Sequence, residues 1–111
     1  EQPQQQEQKP ALASSKAWEG KGRILFPLGQ LVGTPAALDL LARAGVNGMA
    51  LVDRHMRGDF GDLDPEDEQS NREAIAHGFR VLSSYPVGTG KVWIITEADR
   101  SVTTILLPSD Y

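Results

Sequence analysis

Apolar residues recur at helical spacing directly after Thr34-Pro35, where a threonine N-cap and a proline at the first helical position mark a helix start. The apolar positions follow at i, i+3, i+4 and i+7: Ala37, Leu40, Leu41 and Ala44. Gly45 ends this pattern, as glycine commonly does after a helix. The sequence therefore predicts a first helix between Thr34 and Gly45.

Two more helices are predicted further along the chain. The second is capped by Asn47 and ends at Gly58. The third begins at Asp64-Pro65 and ends at Gly78. Their expected core contacts are Met49, Val52 and Met56 in the second helix, and Ala74 and Ile75 in the third.

Strand patterns occur at both ends of this helical region. Residues 23–26 form a short apolar run before Pro27, which predicts an early extended segment or edge strand. Residues 79–87, 92–96 and 102–107 are rich in β-branched and aromatic side chains and are separated by turns. The predicted fold class is α+β: an early extended segment, three helices, then a three-stranded antiparallel meander with the helices packed on one face.

Residues 1–21 differ in composition from the rest of the chain, because they are rich in glutamine and poor in large apolar side chains. They are predicted to be a disordered tail, with Trp18 as its one candidate anchor. Residues 22–111 are predicted to form a single small domain.

Composition and charge narrow the function classes. The absence of cysteine excludes disulfides, thiolate metal sites and cysteine nucleophiles. Eleven basic residues stand against 15 acidic ones, and the net charge of −4 disfavours a nucleic-acid partner. No apolar run is long enough for a membrane span, and no secretory signal is recognisable. We therefore expect a cytoplasmic protein with a protein partner, no membrane partner and no cofactor.

The densest polar feature is the loop 58–68, which carries six carboxylates. Its spacing is not that of a calcium loop, so no metal site is expected. A capped helix start with a solvated acidic surface explains several of these side chains. A partner-binding surface is the alternative, with Phe60 as an apolar anchor between Asp59 and Asp62, and with Arg100 as a further contact.

A catalytic interpretation uses other residues. Small bacterial ribonuclease toxins place helices before a meander whose strands present polar side chains to the scissile phosphate. The corresponding candidates are His55 as the proton-transfer group, Arg100 as the phosphate-binding group, and Thr103 and Tyr85 as further side chains. Threonine is also common in strands for its β-propensity alone.

Three blocks of sequence carry a family resemblance: residues 22–32, residues 58–63 and residues 92–108. In their order and in their amino acids, these blocks resemble a group of small bacterial proteins of plasmids and integrative elements, labelled "plasmid-related protein". That group has tryptophan where this chain has Phe60. The resemblance implies a bacterial mobile-element context, with roles in transfer, maintenance or evasion of host defence, and it carries over no catalytic residues.

The leading hypothesis is a non-enzymatic interaction module that binds a host or element-encoded macromolecule. The alternative is a small ribonuclease or phosphodiesterase of toxin type. A third hypothesis, anti-restriction by DNA mimicry, is weaker because −4 is a small net charge.

Overall fold

The computed structural model describes residues 22–111. The predicted glutamine-rich tail lies outside the described residues. In chain order the elements are β1 (Gln30–Gly33), α1 (Pro35–Ala44), α2 (Gly48–Met56), α3 (Pro65–His77), β2 (Val81–Val87), β3 (Gly90–Thr96), β4 (Val102–Leu106) and a C-terminal 3-10 turn (Pro108–Asp110). The α+β fold class is confirmed.

The predicted helix starts are confirmed by their capping hydrogen bonds. The Thr34 side chain accepts from the Ala37 backbone N–H at 3.2 Å, and Asp64 accepts from that of Asp67 at 2.9 Å. Asn47 caps α2 by accepting from the Met49 N–H at 3.0 Å. Two of the three C-terminal ends are also as predicted, because Gly45 and Gly78 adopt the left-handed conformation that follows many helices.

The sheet contains the predicted meander and one more strand. Its order is β1-β4-β3-β2, with β2, β3 and β4 antiparallel and β1 parallel to β4. The prediction of a three-stranded antiparallel sheet is therefore wrong in detail, since the sheet has four strands and is mixed. Residues 23–26 form no strand, and the early strand is Gln30–Gly33.

Gly29 explains why β1 begins where it does. Its φ of +66° is left-handed, and a Cβ built at this position would overlap the Ser101 carbonyl group. The chain therefore passes directly against the start of β4, where the Gln30 N–H donates to the Ser101 carbonyl at 2.9 Å. A side chain at residue 29 would prevent this close approach.

Helices α1 and α2 cover one face of the sheet. By the register of the strands, this face carries Tyr85 and Val92 as one pair and Ile94 and Ile105 as another. The residues that form this core cluster are Ala37, Leu41, Leu51, Val52, Tyr85, Val87, Val92, Ile94 and Ile105. A second buried cluster of Phe26, Phe60, Ala74 and Val81 lies beside α3.

The buried face of α2 agrees with the prediction in part, since Val52 is buried and Met56 packs against the second cluster. Leu51, Val52 and His55 are buried, whereas Met49 is 56% exposed. The apolar pattern is misleading here, because a histidine occupies one of the inward positions. On α3, Ala74 is buried and Ile75 packs against the second cluster, as predicted, and Asn71 is buried as well.

Three different features satisfy or remove the outward N–H groups of β2. The Asn71 side chain donates to the Leu82 carbonyl at 2.6 Å and accepts from the Leu82 N–H at 3.1 Å. Two residues along, the Ser84 backbone pairs with Phe60 and Asp62, at 3.0 and 2.6 Å. The next outward position is Pro86, which has no N–H to satisfy.

Candidate functional site

His55 is the centre of a buried polar network. Its Nδ1 lies 2.6 Å from the Ser83 hydroxyl of β2, and its Nε2 lies 2.9 Å from the Thr96 hydroxyl of β3. Thr96 in turn bonds Thr103 of β4 at 2.7 Å, and Thr103 donates to the Leu28 carbonyl at 2.8 Å. The network thus runs across the sheet from β2 to the segment before β1, and every side chain in it has a partner.

Burial lowers the pKa of His55 to about 3, and the nearby Arg100 charge acts in the same direction. The imidazole is fully buried and neutral near pH 7, with the Phe26 ring edge-on to it at 5.2 Å. A neutral histidine holding two hydroxyls suits a structural network that fixes α2 on the sheet.

Tyr85 is also fully buried, and burial raises its pKa above the usual value. Its hydroxyl donates to the Asp59 carbonyl at 2.6 Å, and the Arg54 guanidinium lies 4.7 Å from the centre of its ring. The Asp59 carboxylate accepts from Arg54 at 2.8 Å and from the Gly61 N–H at 3.3 Å. These contacts hold the start of the acidic loop against the domain.

Arg100 lies in the turn before β4 with a left-handed φ of 61°. Its guanidinium donates to the carbonyls of Phe79 at 2.7 Å, Ala74 at 3.1 Å and Glu97 at 3.2 Å. The Ala74 and Phe79 carbonyls lie at and beyond the end of α3, where a cation is favourable. The Glu97 carbonyl lies in the same turn as Arg100. The phosphate-binding role suggested for Arg100 would compete with these bonds.

The four residues of the catalytic interpretation therefore do not form an open site. His55 and Thr103 belong to one buried network, while Tyr85 and Arg100 each bond backbone carbonyls elsewhere. His55, Thr103 and Tyr85 have no exposed surface, so a polynucleotide phosphate cannot reach them in this conformation.

Of the residues suggested to bind a partner, only Asp62 presents a largely exposed side chain. Phe60 is 1% exposed and forms part of the second cluster, so its ring is a core contact rather than a surface anchor. The Asp62 carboxylate is 60% exposed and lies 3.8 Å from the Lys91 ammonium. Within residues 22–111 no group of three or more acidic or histidine side chains is arranged to hold a metal ion.

An apolar groove lies beside β1 that the sequence reasoning did not identify. It has a volume of about 480 Å³ and lies between β1, α1 and the start of α2. Val32, Leu38 and Met49 line it and are 38%, 48% and 56% exposed. Leu38 could have been noticed, because it stands off the predicted apolar face of its helix. We call this surface the β1 groove.

The groove adjoins an unpaired strand edge. Gln30 and Thr34 direct their N–H groups to β4, so by alternation Leu31 and Gly33 direct theirs outward. No strand among the described residues pairs with this side of β1. The domain thus offers outward backbone hydrogen-bonding groups directly beside exposed apolar side chains.

Comparison with known proteins finds no match: no family model fits the chain, and neither a curated protein nor a solved structure is significantly similar to it. The described part of the chain has no helix that is both long and apolar enough to cross a bilayer. The resemblance to plasmid-related proteins therefore stays a prediction.

Proposed function

We propose that this domain is a non-enzymatic interaction module that binds an extended segment of a partner protein at the edge of β1. The observation that carries the proposal is the joint exposure of that edge and of Val32, Leu38 and Met49 beside it. A strand added to a free sheet edge gains affinity from backbone hydrogen bonds and specificity from side-chain pockets. The mobile-element context is carried by the family resemblance alone.

The β1 groove suits one large apolar side chain of such a segment. Its volume of about 480 Å³ falls in the range of ligand pockets. Leu38 lies directly over Gly33, since a Cβ at Gly33 would come within 2.8 Å of the Leu38 side chain. A strand that paired with Leu31 and Gly33 would therefore pass beside an apolar wall.

The ribonuclease alternative has no comparable support. Its proposed proton-transfer group is buried and neutral, and its proposed phosphate-binding arginine already bonds three carbonyls. The acidic net charge adds a further electrostatic cost for RNA.

The test is a quantitative affinity purification with the full chain and two groove variants, Val32→Lys and Leu38→Glu. Both place a charge on the surface that the partner would cover. Ile24→Lys is the matched control, because Ile24 is also an exposed apolar residue, at 51%, and lies outside the groove. The partner should be lost with both groove variants and retained with the control.

Titration calorimetry with the identified partner should then show at least about tenfold weaker binding for Leu38→Ala, as for other buried apolar anchors. A partner retained by both groove variants would contradict the proposal. Sedimentation analysis of the free protein distinguishes a further outcome, in which two copies of this chain pair through β1 and the partner is another copy.

A further inference from the structure

A second cleft lies at the opposite side of the sheet, beside β2. It has a volume of about 460 Å³ and opens on the sheet face that α1 and α2 do not cover. Five of its lining residues carry the argument: Asp62, Asp67, Ser84, Lys91 and Trp93. The cleft combines an aromatic surface with several hydrogen-bond acceptors.

Ser84 forms a buried part of the wall of this cleft. The residue is 3% exposed, and its backbone N–H and carbonyl are used by Phe60 and Asp62. Its hydroxyl has no hydrogen bond to any residue among 22–111. A buried hydroxyl without a partner is costly, and buried polar side chains are normally satisfied. Its position in the cleft indicates a partner that residues 22–111 do not supply.

Trp93 is the direct neighbour of Ser84 in the sheet, since the two residues are paired between β2 and β3. Its indole is half-buried and is held edge-on by the Tyr111 ring at 5.8 Å. A flat group entering the cleft would therefore meet the Trp93 ring beside the Ser84 hydroxyl.

The charges at the mouth of the cleft are mainly negative. The ion-pair partner of Asp62 among the described residues is Lys91. The Lys91 ammonium lies 3.8 Å from the Asp62 carboxylate, which is too long for a hydrogen bond. Asp67 lies in the first turn of α3 and is exposed, and its carboxylate has no bond to another described residue. Both carboxylates are thus available to a cation, and Glu66 adds a further negative charge nearby.

We propose that this cleft, here called the arginine cleft, binds an arginine side chain of a protein partner. The guanidinium is planar, carries five N–H donors and no acceptor, and stacks on aromatic rings. In the arginine cleft its plane lies against Trp93, and its N–H groups donate to the Ser84 hydroxyl and to Asp62 and Asp67. The exposed Lys91 ammonium gives up its long contact with Asp62 as the guanidinium enters.

The same charges select a peptide over free arginine. Free arginine carries an α-carboxylate, which the Asp62 and Asp67 carboxylates of the cleft would repel. An arginine within a peptide has neutral amides in that position. The arginine cleft and the β1 groove lie at opposite edges of the sheet, so this inference does not depend on the groove and can fail or succeed separately.

The test is an NMR titration of the ¹⁵N-labelled full chain with acetyl-Gly-Arg-Gly-amide. The readouts are the Trp93 indole N–H and the Ser84 amide. We expect saturable shifts with a dissociation constant of about 1 mM, as suits one side chain. The matched peptide with lysine should bind at least about fivefold more weakly. An ammonium does not stack on an aromatic ring as a planar guanidinium does, and it does not offer the same fork of N–H donors. Free arginine should also bind more weakly than the peptide.

Two charge-neutralising variants separate local recognition from general electrostatics. Asp67→Asn should weaken arginine-peptide binding about fivefold, as expected for loss of a charge-assisted hydrogen bond. Glu66→Gln removes the same charge from the same helical turn but outside the cleft, and it should change binding less than about twofold. Ser84→Ala should weaken binding about threefold, because it removes one acceptor.

Three results would overturn the inference. The first is equal binding of the lysine and arginine peptides. The second is an equal effect of Glu66→Gln and Asp67→Asn, which would indicate only a diffuse negative surface. The third is the absence of shifts at Trp93 and Ser84 up to about 20 mM peptide, well above the expected dissociation constant.

Discussion

The two outer strands of the sheet, β2 and β1, differ in whether their outward backbone groups are paired. At β2, the Asn71 side chain, the Phe60–Asp62 backbone and Pro86 together leave no unpaired N–H pointing outward. At β1, the outward groups of Leu31 and Gly33 have no strand beside them among the described residues, and apolar side chains are exposed next to them. Unprotected strand edges promote association, and proteins usually block them. A domain that closes one edge so fully and leaves the other open fits a role for the open edge in binding.

Near each of the outer strands, a glycine lies where the backbone comes close to another segment. Gly61 has a φ of +77°, and a Cβ there would overlap the Ser84 carbonyl oxygen and contact the Tyr85 ring. Gly29, with a φ of +66°, allows a similar close approach on the paired side of β1, where the chain meets Ser101 just before β4. The two outer strands therefore differ in whether other residues pair with their outward backbone groups. In both regions, however, a left-handed glycine allows the close backbone contact.

The largest expected effect is at the closed edge, with Gly61→Ala. We expect it to lower the free energy of unfolding by about 3–5 kcal/mol, because left-handed backbone strain and steric overlap add together. Gly78→Ala is the matched control, since Gly78 has the same φ of +77° but no atom within 4 Å of a Cβ. It should cost only about 1–2 kcal/mol from backbone strain. Urea denaturation measures both, and equal losses would show that the closed edge tolerates a side chain at residue 61.

The next effect concerns the interior between the edges, where the His55 network connects β2 to the segment before β1. The folded pKa of His55, about 3, lies below the value near 6.5 of an unfolded histidine. The stability that this neutral histidine contributes is complete above pH 6.5 and is lost as the pH falls towards 3, because the unfolded state binds the proton more readily. The loss should reach at most about 1.4 kcal/mol per pH unit in this window.

Denaturant unfolding at a series of pH values between 7 and 4 tests this prediction. The variant His77→Gln changes an exposed histidine and should retain the steep acid loss. A His55→Gln variant that remains folded should show a shallower dependence on pH. If the wild-type protein and His55→Gln respond identically to acid, the buried network does not control acid stability.

The smallest expected effect is at the open edge, with Val32→Lys. Since Val32 is already 38% exposed, the substitution should change the free energy of unfolding by less than about 0.5 kcal/mol. The added charge should nevertheless block strand addition at β1. A thermal shift of several degrees would instead indicate that Val32 is covered in the folded protein, and the contrast between the two edges would then be weaker than the structure indicates.

Local signals predicted much of the fold. The Thr34 and Asp64 caps, the prolines after them, and the glycines at 45 and 78 act within one or two helical turns, so their effect can be read from neighbouring residues. The meander of β2, β3 and β4 follows from the same kind of evidence, because its strands are consecutive and joined by short turns. The strand β1 was misplaced, since its pairing with β4 joins residues more than 70 positions apart.

The candidate sites show the limit of sequence reasoning more clearly. Phe60 between two aspartates is typical of a surface anchor, yet it is buried. The aromatic residue that lines the cleft with Asp62 is Trp93 of β3. His55 has the chemistry of a proton-transfer group, but its burial by α2 and the sheet leaves it neutral and enclosed.

The sequence by itself determined the helices, their caps and the meander, because these depend on the conformational preferences of adjacent residues. Only the tertiary structure decided which polar groups are buried and which strand edge is open. It also decided which side chains meet in the β1 groove and in the arginine cleft. Those properties depend on contacts between distant segments, and burial changes the chemistry of a side chain as much as its identity does.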